Sequence, residues 1–392
     1  MANTNKTIYG LFNDSFPPVL DGVTLTVVNY TKWLVEAGKP VNVVTPWHPV
    51  DIPHPNYDIY RYFSIPVYNR KPYRYGYPLF DYKIWRKMRE VPFKIVHAHC
   101  PFSSGRLARY AANYHKVPLV ATFHSKYRDD LKKGLIKPIF DFVMKRLVEF
   151  YNTADAVWIP QASVEETLRE YGITAPVTVV ENGNDFVGDV QEIKALKQQA
   201  RLAHNIPDSK LVLLFVGQHI EAKGVMIIID SLRLLADRGI DFEMHFAGTG
   251  NHVEAMKRRC QSLNIDKYVT FHGVIQEREK LRDLYMAADL FLFPSFYDNA
   301  PLVVREAAAM LTPSILPIGS TSAENIVNGE NGFLTHTTAK DYADVVASLA
   351  SDRDTISRAG QGAHNTICRS WQDVVNEVIG RYDEIISRYY SR

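Results

Sequence analysis

Short apolar runs rich in β-branched residues alternate along this chain with stretches whose apolar positions recur every three or four residues. The first kind of run reads as a buried strand and the second as an amphipathic helix. Strands are expected at 6–12 (KTIYGLF), 40–45, 93–98, 117–123, 154–160 and 177–182, with a helix from Val23 to Gly38 after the first. A polar stretch at 183–210 interrupts the series. It resumes with LVLLFVG (211–217), a helix beginning VMIII, and strands at 242–248, 268–273, 289–294 and 313–318. Strand and helix in strict alternation predict parallel sheets covered by helices, so the fold class is α/β with two doubly wound domains. The division is expected at 1–186 and 187–370, with the hinge near 183–190. In the last stretch Val374, Val375, Val378, Ile379, Tyr382, Ile385 and Ile386 share helical spacing. A terminal helix at about 371–392 is expected to pack back on the first domain.

Composition leaves this picture in place. At 392 residues the chain exceeds one ordinary core, and 46% hydrophobic with 22% charged residues is a globular balance. The opening residues resemble no secretory leader, and no apolar run reaches the roughly 18 residues of a membrane span. Three cysteines, Cys100, Cys260 and Cys368, are odd in number and far apart, which fits a reducing compartment. Charge does change the picture. Residues 61–146 hold 19 Lys or Arg against 5 Asp or Glu, a net +14, which leaves −12 for the rest of a chain of net +2. A set of solvated helix faces and an anionic partner for the first half both account for this.

In doubly wound sheets, ligands bind beyond the carboxyl ends of the strands. The polar and glycine-bearing segments fall there: NDSFPPVLDG, His99-Cys100, HSKYRDD, NGND, GQHIEAKG, GTGN and SFYDNAP. In GQHIEAKG, Gly217 permits a tight turn, and Lys223 at a helix start could pair with a diphosphate or simply be a surface lysine. SFYDNAPLVVREAAAM places Asp298 before Pro301, with Glu306 one turn further on. Two carboxylates astride a helix N-terminus suit hydroxyl recognition; the alternative is an N-cap at Asp298 and a solvated Glu306. Gly248 marks either a turn or a close backbone approach. His97, His99 and Cys100 lack the arrangement of a closed zinc site, and no metal ligand set is expected. His99 and His124 each follow a strand, and Gly22 enters a helix after a loop. No P-loop, G-x-G-x-x-G or G-x-S-x-G is present.

In combination and in order, VTPW, HAHCPFSSGRLA, VPLVATFHS, ADAVWIPQ, VVENGND, VGQHIEAKG, FAGTGN and SFYDNAPLVVREAAAM resemble the retaining GT-B glycosyltransferases of family 4 (group 1). The resemblance covers nearly the whole chain. It implies two Rossmann-like domains facing across a cleft, an acceptor side in the first and a nucleotide-sugar donor held by the second, with no metal or other cofactor. It assigns Lys223 to the donor diphosphate, Glu306 to the ribose and Asp298 to sugar hydroxyls. The backbone of Asn299, Ala300, Pro301 and Leu302 would line the sugar and phosphate, with Pro301 shaping the turn. Gly22, Gly217, Gln218 and Gly248 would border the donor, Val274 and Ile275 would meet the base, and His124 would face the reacting sugar. The implied catalytic set is His124, Lys223, Asp298 and Glu306. Two positions depart from the family pattern: Gln218 stands where arginine is usual, and Asp298 where glutamate is usual.

Segments 61–89 and 123–151 mix cations with aromatic and aliphatic residues, as an interfacial surface does. The TFHS and PFSSG segments are similar to those of diacylglycerol glucosyltransferase-like members. A membrane lipid acceptor is therefore expected, met from the cytoplasmic face by a region including His99, Lys126, Tyr127, Arg128, Lys132 and Lys133, with a UDP-hexose donor. Two other readings stand beside it: a soluble or polysaccharide-precursor acceptor, and a non-catalytic nucleotide-sugar or polyanion binder. No base-reading motif accompanies the charge, which speaks against nucleic acid.

Overall fold

The computed structural model describes residues 7–392 apart from residues 51, 53, 55, 69–71, 133, 134, 204, 205, 208 and 297. Its contacts divide the chain into two compact units. Unit 1 comprises Met1–Gly183 with Trp371–Arg392, and unit 2 comprises Asn184–Ser370.

Unit 1 contains strands β1 (Ile8–Phe12), β2 (Val41–Pro46), β3 (Asp58–Tyr62), β4 (Ser64–Pro66), β5 (Arg74–Gly76), β6 (Phe93–Ala98), β7 (Leu119–Thr122), β8 (Ala156–Ile159) and β9 (Val177–Val179). Seven of them form a sheet in the order β3-β2-β1-β6-β7-β8-β9, with every pairing parallel. Its helices are α1 (Gly22–Glu36), α2 (Tyr82–Glu90), α3 (Ser103–His115), α4 (Tyr127–Lys132), α5 (Lys137–Asn152) and α6 (Val164–Tyr171). All six residues of β2 are buried, the pattern of a strand covered on both faces. β3 and the antiparallel pair β4–β5 go beyond the pattern-based expectation; their alternation is blurred by exposed aromatics.

Unit 2 contains α7 (Val190–Ala203), β10 (Leu211–Val216), α8 (Val225–Asp237), β11 (Phe242–Ala247), α9 (Val253–Ser262), β12 (Val269–Gly273), α10 (Arg278–Ala287), β13 (Leu290–Leu292), α11 (Leu302–Ala309), β14 (Ser314–Pro317), β15 (Phe333–Thr335), α12 (Ala339–Ala350) and α13 (Arg353–Ile367). The sheet order is β12-β11-β10-β13-β14-β15, parallel throughout. α8 shows how the sequence specifies this unit. Val225, Ile228, Ile229, Leu232 and Leu235 form one buried stripe against the sheet.

The last helix, α14 (Trp371–Tyr390), belongs to unit 1. Tyr382 stacks on Trp158 of β8 with ring centroids 5.3 Å apart, and Lys94 of β6 pairs with Asp383.

In unit 2 the loops after β10, β11 and β12 are stitched together by their backbones. Gly217 N–H donates to Ala247 O, His219 N–H to Thr249 O and Gly248 N–H to Gly273 O. Gly248 has φ +124°, and a Cβ there would lie 2.0 Å from the Gly217 carbonyl oxygen. Its glycine therefore follows from loop-on-loop packing, a third reason beside the turn and the ligand approach considered from sequence.

Candidate functional site

Three of the sequence-derived donor residues, Lys223, Asp298 and Glu306, fall near strand ends of unit 2, in two clusters. The first joins the β10–α8 loop to the β13–α11 loop. Lys223 closes a one-turn 3₁₀ helix after β10. Gly224 next to it has φ +67° and packs so closely that a Cβ would meet Pro294 O at 2.8 Å. The Lys223 ammonium donates to Asp298 Oδ1 and lies 5.5 Å from the centre of the Phe293 ring. Asp298 Oδ2 accepts from Ser295 Oγ at 2.7 Å, and its main-chain oxygen accepts from Thr321 Oγ1 at 2.7 Å. Asp298 is therefore not an N-cap. That position is taken by Pro301, which makes no side-chain cap bond, so the N-terminus of α11 carries no side-chain cap.

The second cluster surrounds Glu306, in the second turn of α11. Its side chain is only 6% exposed. Arg278, the first residue of α10, donates to Oε1 at 2.7 Å, and the Tyr285 hydroxyl donates to Oε2 at 3.0 Å. The solvated-glutamate alternative fails on these contacts. Arg278 also holds Asp185 through Nε at 2.9 Å and stacks over Phe186 at 4.3 Å. Its pKa is raised above the ordinary arginine value; burial opposes that shift, and the carboxylates of Glu306 and Asp185 outweigh it. Burial, and then the Glu306 carboxylate, push the Tyr285 phenol well above its ordinary value.

Arg278, Tyr285 and Asp185 are the site residues that sequence reasoning missed. QERE at 276–279 reads as a solvated helix start, and Tyr285 as one more core aromatic. The usable signal was a buried glutamate in α11, which requires a cation and a donor nearby.

The other donor candidates of unit 2 differ in exposure. Gln218 is exposed, Asn299 is buried, and Ala300, Pro301 and Leu302 are partly buried. Val274 is exposed, whereas Ile275 packs against the unit 2 core. Tyr297, inside the same motif, lies outside the described residues.

In unit 1, Gly22 begins α1, where Asp21 is the N-cap and accepts from Thr24 N–H at 2.7 Å. A Cβ at Gly22 would meet nothing within 4 Å, so packing within the unit does not explain the glycine. His97, His99 and His124 form an array. The rings of His97 and His99 stack with centroids 4.0 Å apart, and His99 Nδ1 lies 3.1 Å from His124 Nε2. His97 is satisfied on both nitrogens, by Tyr382 Oη at 2.6 Å and Thr122 Oγ1 at 2.7 Å. His99 Nε2 has no hydrogen-bond partner among the described residues. Burial lowers all three pKa values, that of His124 to about 4.

The residues expected in the acceptor or membrane region differ in exposure. His99 is buried, and so is Tyr127, which packs edge-on against Phe102 and Phe123. Arg128 lies over the Tyr171 ring at 4.5 Å and donates to Glu170 O. Lys126 is partly exposed, Lys132 is exposed, and Lys133 lies outside the described residues. Packing against Phe102, just before α3, and Phe123, just after β7, holds the tyrosine inside, which the mixed character of the segment had hidden. No helix among the described residues is long and apolar enough to cross a membrane.

Residues 20–186 match the family model described as Glycosyltransferase Family 4, and residues 196–366 match Glycosyl transferases group 1. The chain belongs to the family 4 (group 1) glycosyltransferases. Among curated proteins it is similar to an alpha-monoglucosyldiacylglycerol synthase of Streptococcus pneumoniae, 26% identical over 326 residues, covering 81% of this chain and 73% of that one. It is likewise similar to the protein of that name from Acholeplasma laidlawii, 22% identical over 339 residues and 83% of each chain. Among solved structures, Alr3699/HepE of Anabaena in complex with UDP-glucose matches with a TM-score of 0.74 at 16% identity, covering 96% of this chain and 99% of that one. The fold is GT-B.

Proposed function

We propose that this glycosyltransferase moves a hexose, with retention, from a nucleotide-diphosphate sugar to a membrane lipid, forming an α-linked glycolipid. UDP-hexose is the favoured donor. The observation that carries the donor half is the pair of carboxylates, Asp298 and Glu306, flanking the uncapped N-terminus of α11, with Lys223 against the first. In this reading Lys223 and the α11 N-terminus take the diphosphate charge, Glu306 accepts from the ribose, and Asp298 accepts from sugar hydroxyls. The leaving diphosphate takes the acceptor proton during front-face displacement, so catalysis is positional and electrostatic and needs no metal. The Anabaena structure, solved with UDP-glucose, supports a uridine nucleotide.

The lipid half is supported by the two synthase relatives and by an exposed surface of unit 1. Phe63, Ile65, Tyr75, Leu79, Phe80 and Tyr82 are all exposed on or beside the β4–β5 hairpin. Ile65 and Tyr75 are directly paired across the strands. The hairpin is rooted firmly. Arg74 donates to Ser64 Oγ and Ser64 O, and Asp81 accepts from Phe63 N–H while capping α2. Lys83, Arg86, Lys87 and Arg89 follow in α2. Aromatics bordered by cations suit an anionic lipid interface.

The test is transfer of labelled hexose from UDP-glucose and UDP-galactose to diacylglycerol in mixed micelles, with and without a chelator. An α-linked glycolipid formed equally in both conditions is expected. A product formed on water-soluble sugars alone would remove the lipid acceptor. A β-anomer would remove retention, and loss of activity with chelator would remove metal independence.

A further inference from the structure

We propose that Asp298 makes the donor site discriminate between a sugar-bearing nucleotide and the bare nucleotide diphosphate left after transfer, by competing with phosphate for the Lys223 ammonium. The inference rests on the reading of unit 2 as a nucleotide-sugar site and adds how that site selects among its ligands.

The lysine assigned to phosphate is already engaged by a carboxylate, the Asp298 side chain. Only 12% of the Lys223 side chain and 18% of the Asp298 side chain are exposed, so solvent screens the pair less than it would a surface pair. Neither partner is loosely held. Gly224, pressed against Pro294 O, fixes the backbone beside Lys223. Ser295 holds Asp298 Oδ2, while Thr321 and Ser322 hold its main-chain oxygen. An anion approaching Lys223 therefore meets a negative charge fixed beside its target.

The two ligands differ in what they offer that charge. A nucleotide diphosphate brings acceptors and negative charge, and its phosphates are repelled. A nucleotide sugar brings an esterified diphosphate of lower charge, together with the hydroxyl donors of the sugar. A carboxylate has about four lone-pair sites, of which Lys223 and Ser295 use two, so Asp298 can accept from a sugar while the diphosphate shares the lysine. Both ligands meet the repulsion, the bare diphosphate more strongly because its terminal phosphate carries more charge, and only the sugar's hydroxyls offset it. The consequence is weak retention of the product nucleotide, which keeps it from occupying the site after transfer.

The test is calorimetric titration of UDP, GDP and UDP-glucose into the full-length protein, wild type and Asp298→Asn, with Asp298→Ala as a second variant should the amide not fold. Lys223→Ala and the Asp298→Asn/Lys223→Ala double variant complete a cycle. Asp298→Asn is expected to bind UDP about ten-fold tighter than wild type, and its preference for UDP-glucose over UDP is expected to shrink. In the Lys223→Ala background the same substitution is expected to give less than half of that gain, because the competition acts through the lysine. UDP binding unchanged or weaker in both Asp298 variants overturns the proposal while leaving the donor site standing. Wild-type protein that binds neither UDP nor GDP nor UDP-glucose overturns the donor reading, and this proposal with it.

Discussion

Glu306 is a buried carboxylate whose two oxygens are claimed by different chemistry, the Arg278 guanidinium on one side and the Tyr285 hydroxyl on the other. Tyr285→Phe keeps the aromatic packing and deletes one bond to a charged group, so unfolding stability is expected to fall by about 2 kcal/mol in urea titrations. An unchanged midpoint would mean that Oε2 has another donor. The histidine array makes a separate prediction. His97 and His99 are held neutral by burial, with pKa values well below 6.5, whereas the unfolded chain takes up protons near that value. Below pH 6.5 the unfolded state then binds more protons than the native state, and stability falls as pH falls. Urea midpoints measured at pH 7 and pH 5 should differ in that direction, and by less in His99→Phe. Equal midpoints would show that these rings protonate in the native state.

At the scale of elements, the β4–β5 hairpin and the turn after it bring apolar side chains into solvent on a framework pinned by Arg74, Asp81 and Trp85, whose Nε1–H donates to Pro78 O. Rigid exposed aromatics cost little ordering on binding, which suits insertion at an interface. Leu79→Ser with Phe80→Ser should reduce sedimentation with anionic vesicles several-fold, and Ile139→Ser with Phe142→Ser on α5 serves as the comparison. Undiminished sedimentation of the Leu79/Phe80 pair would place the contact elsewhere on unit 1. The strands were readable because fully buried runs such as LVLLFV leave few alternatives, and α8 because its stripe is unbroken. The short β15 and the hairpin were not, since three-residue strands carry little periodicity and exposed tyrosines mimic a core. Within the proposed donor site, Lys223, Asp298 and Glu306 were legible from motif order. Arg278 and Asp185 were not, because they lie 28 and 121 residues from Glu306 in the chain, and only the fold joins them.

For the whole molecule, the chain returns at Trp371 to complete the unit it began, so unit 1 is built from both ends and unit 2 from one continuous segment. The excess of cations in residues 61–146 belongs to unit 1, and the proposed donor residues Lys223, Asp298 and Glu306 belong to unit 2. Lipid contact and nucleotide binding should therefore respond to different substitutions. The central claim is that Asp298, Glu306 and Lys223 form a nucleotide-sugar site. It is tested most directly by thermal shift of the full-length protein with UDP-glucose, because a ligand bound to the native state alone raises the melting temperature. A concentration-dependent rise is expected for wild type, largely lost in Glu306→Ala and in Lys223→Ala. A rise of equal size in both variants would contradict it.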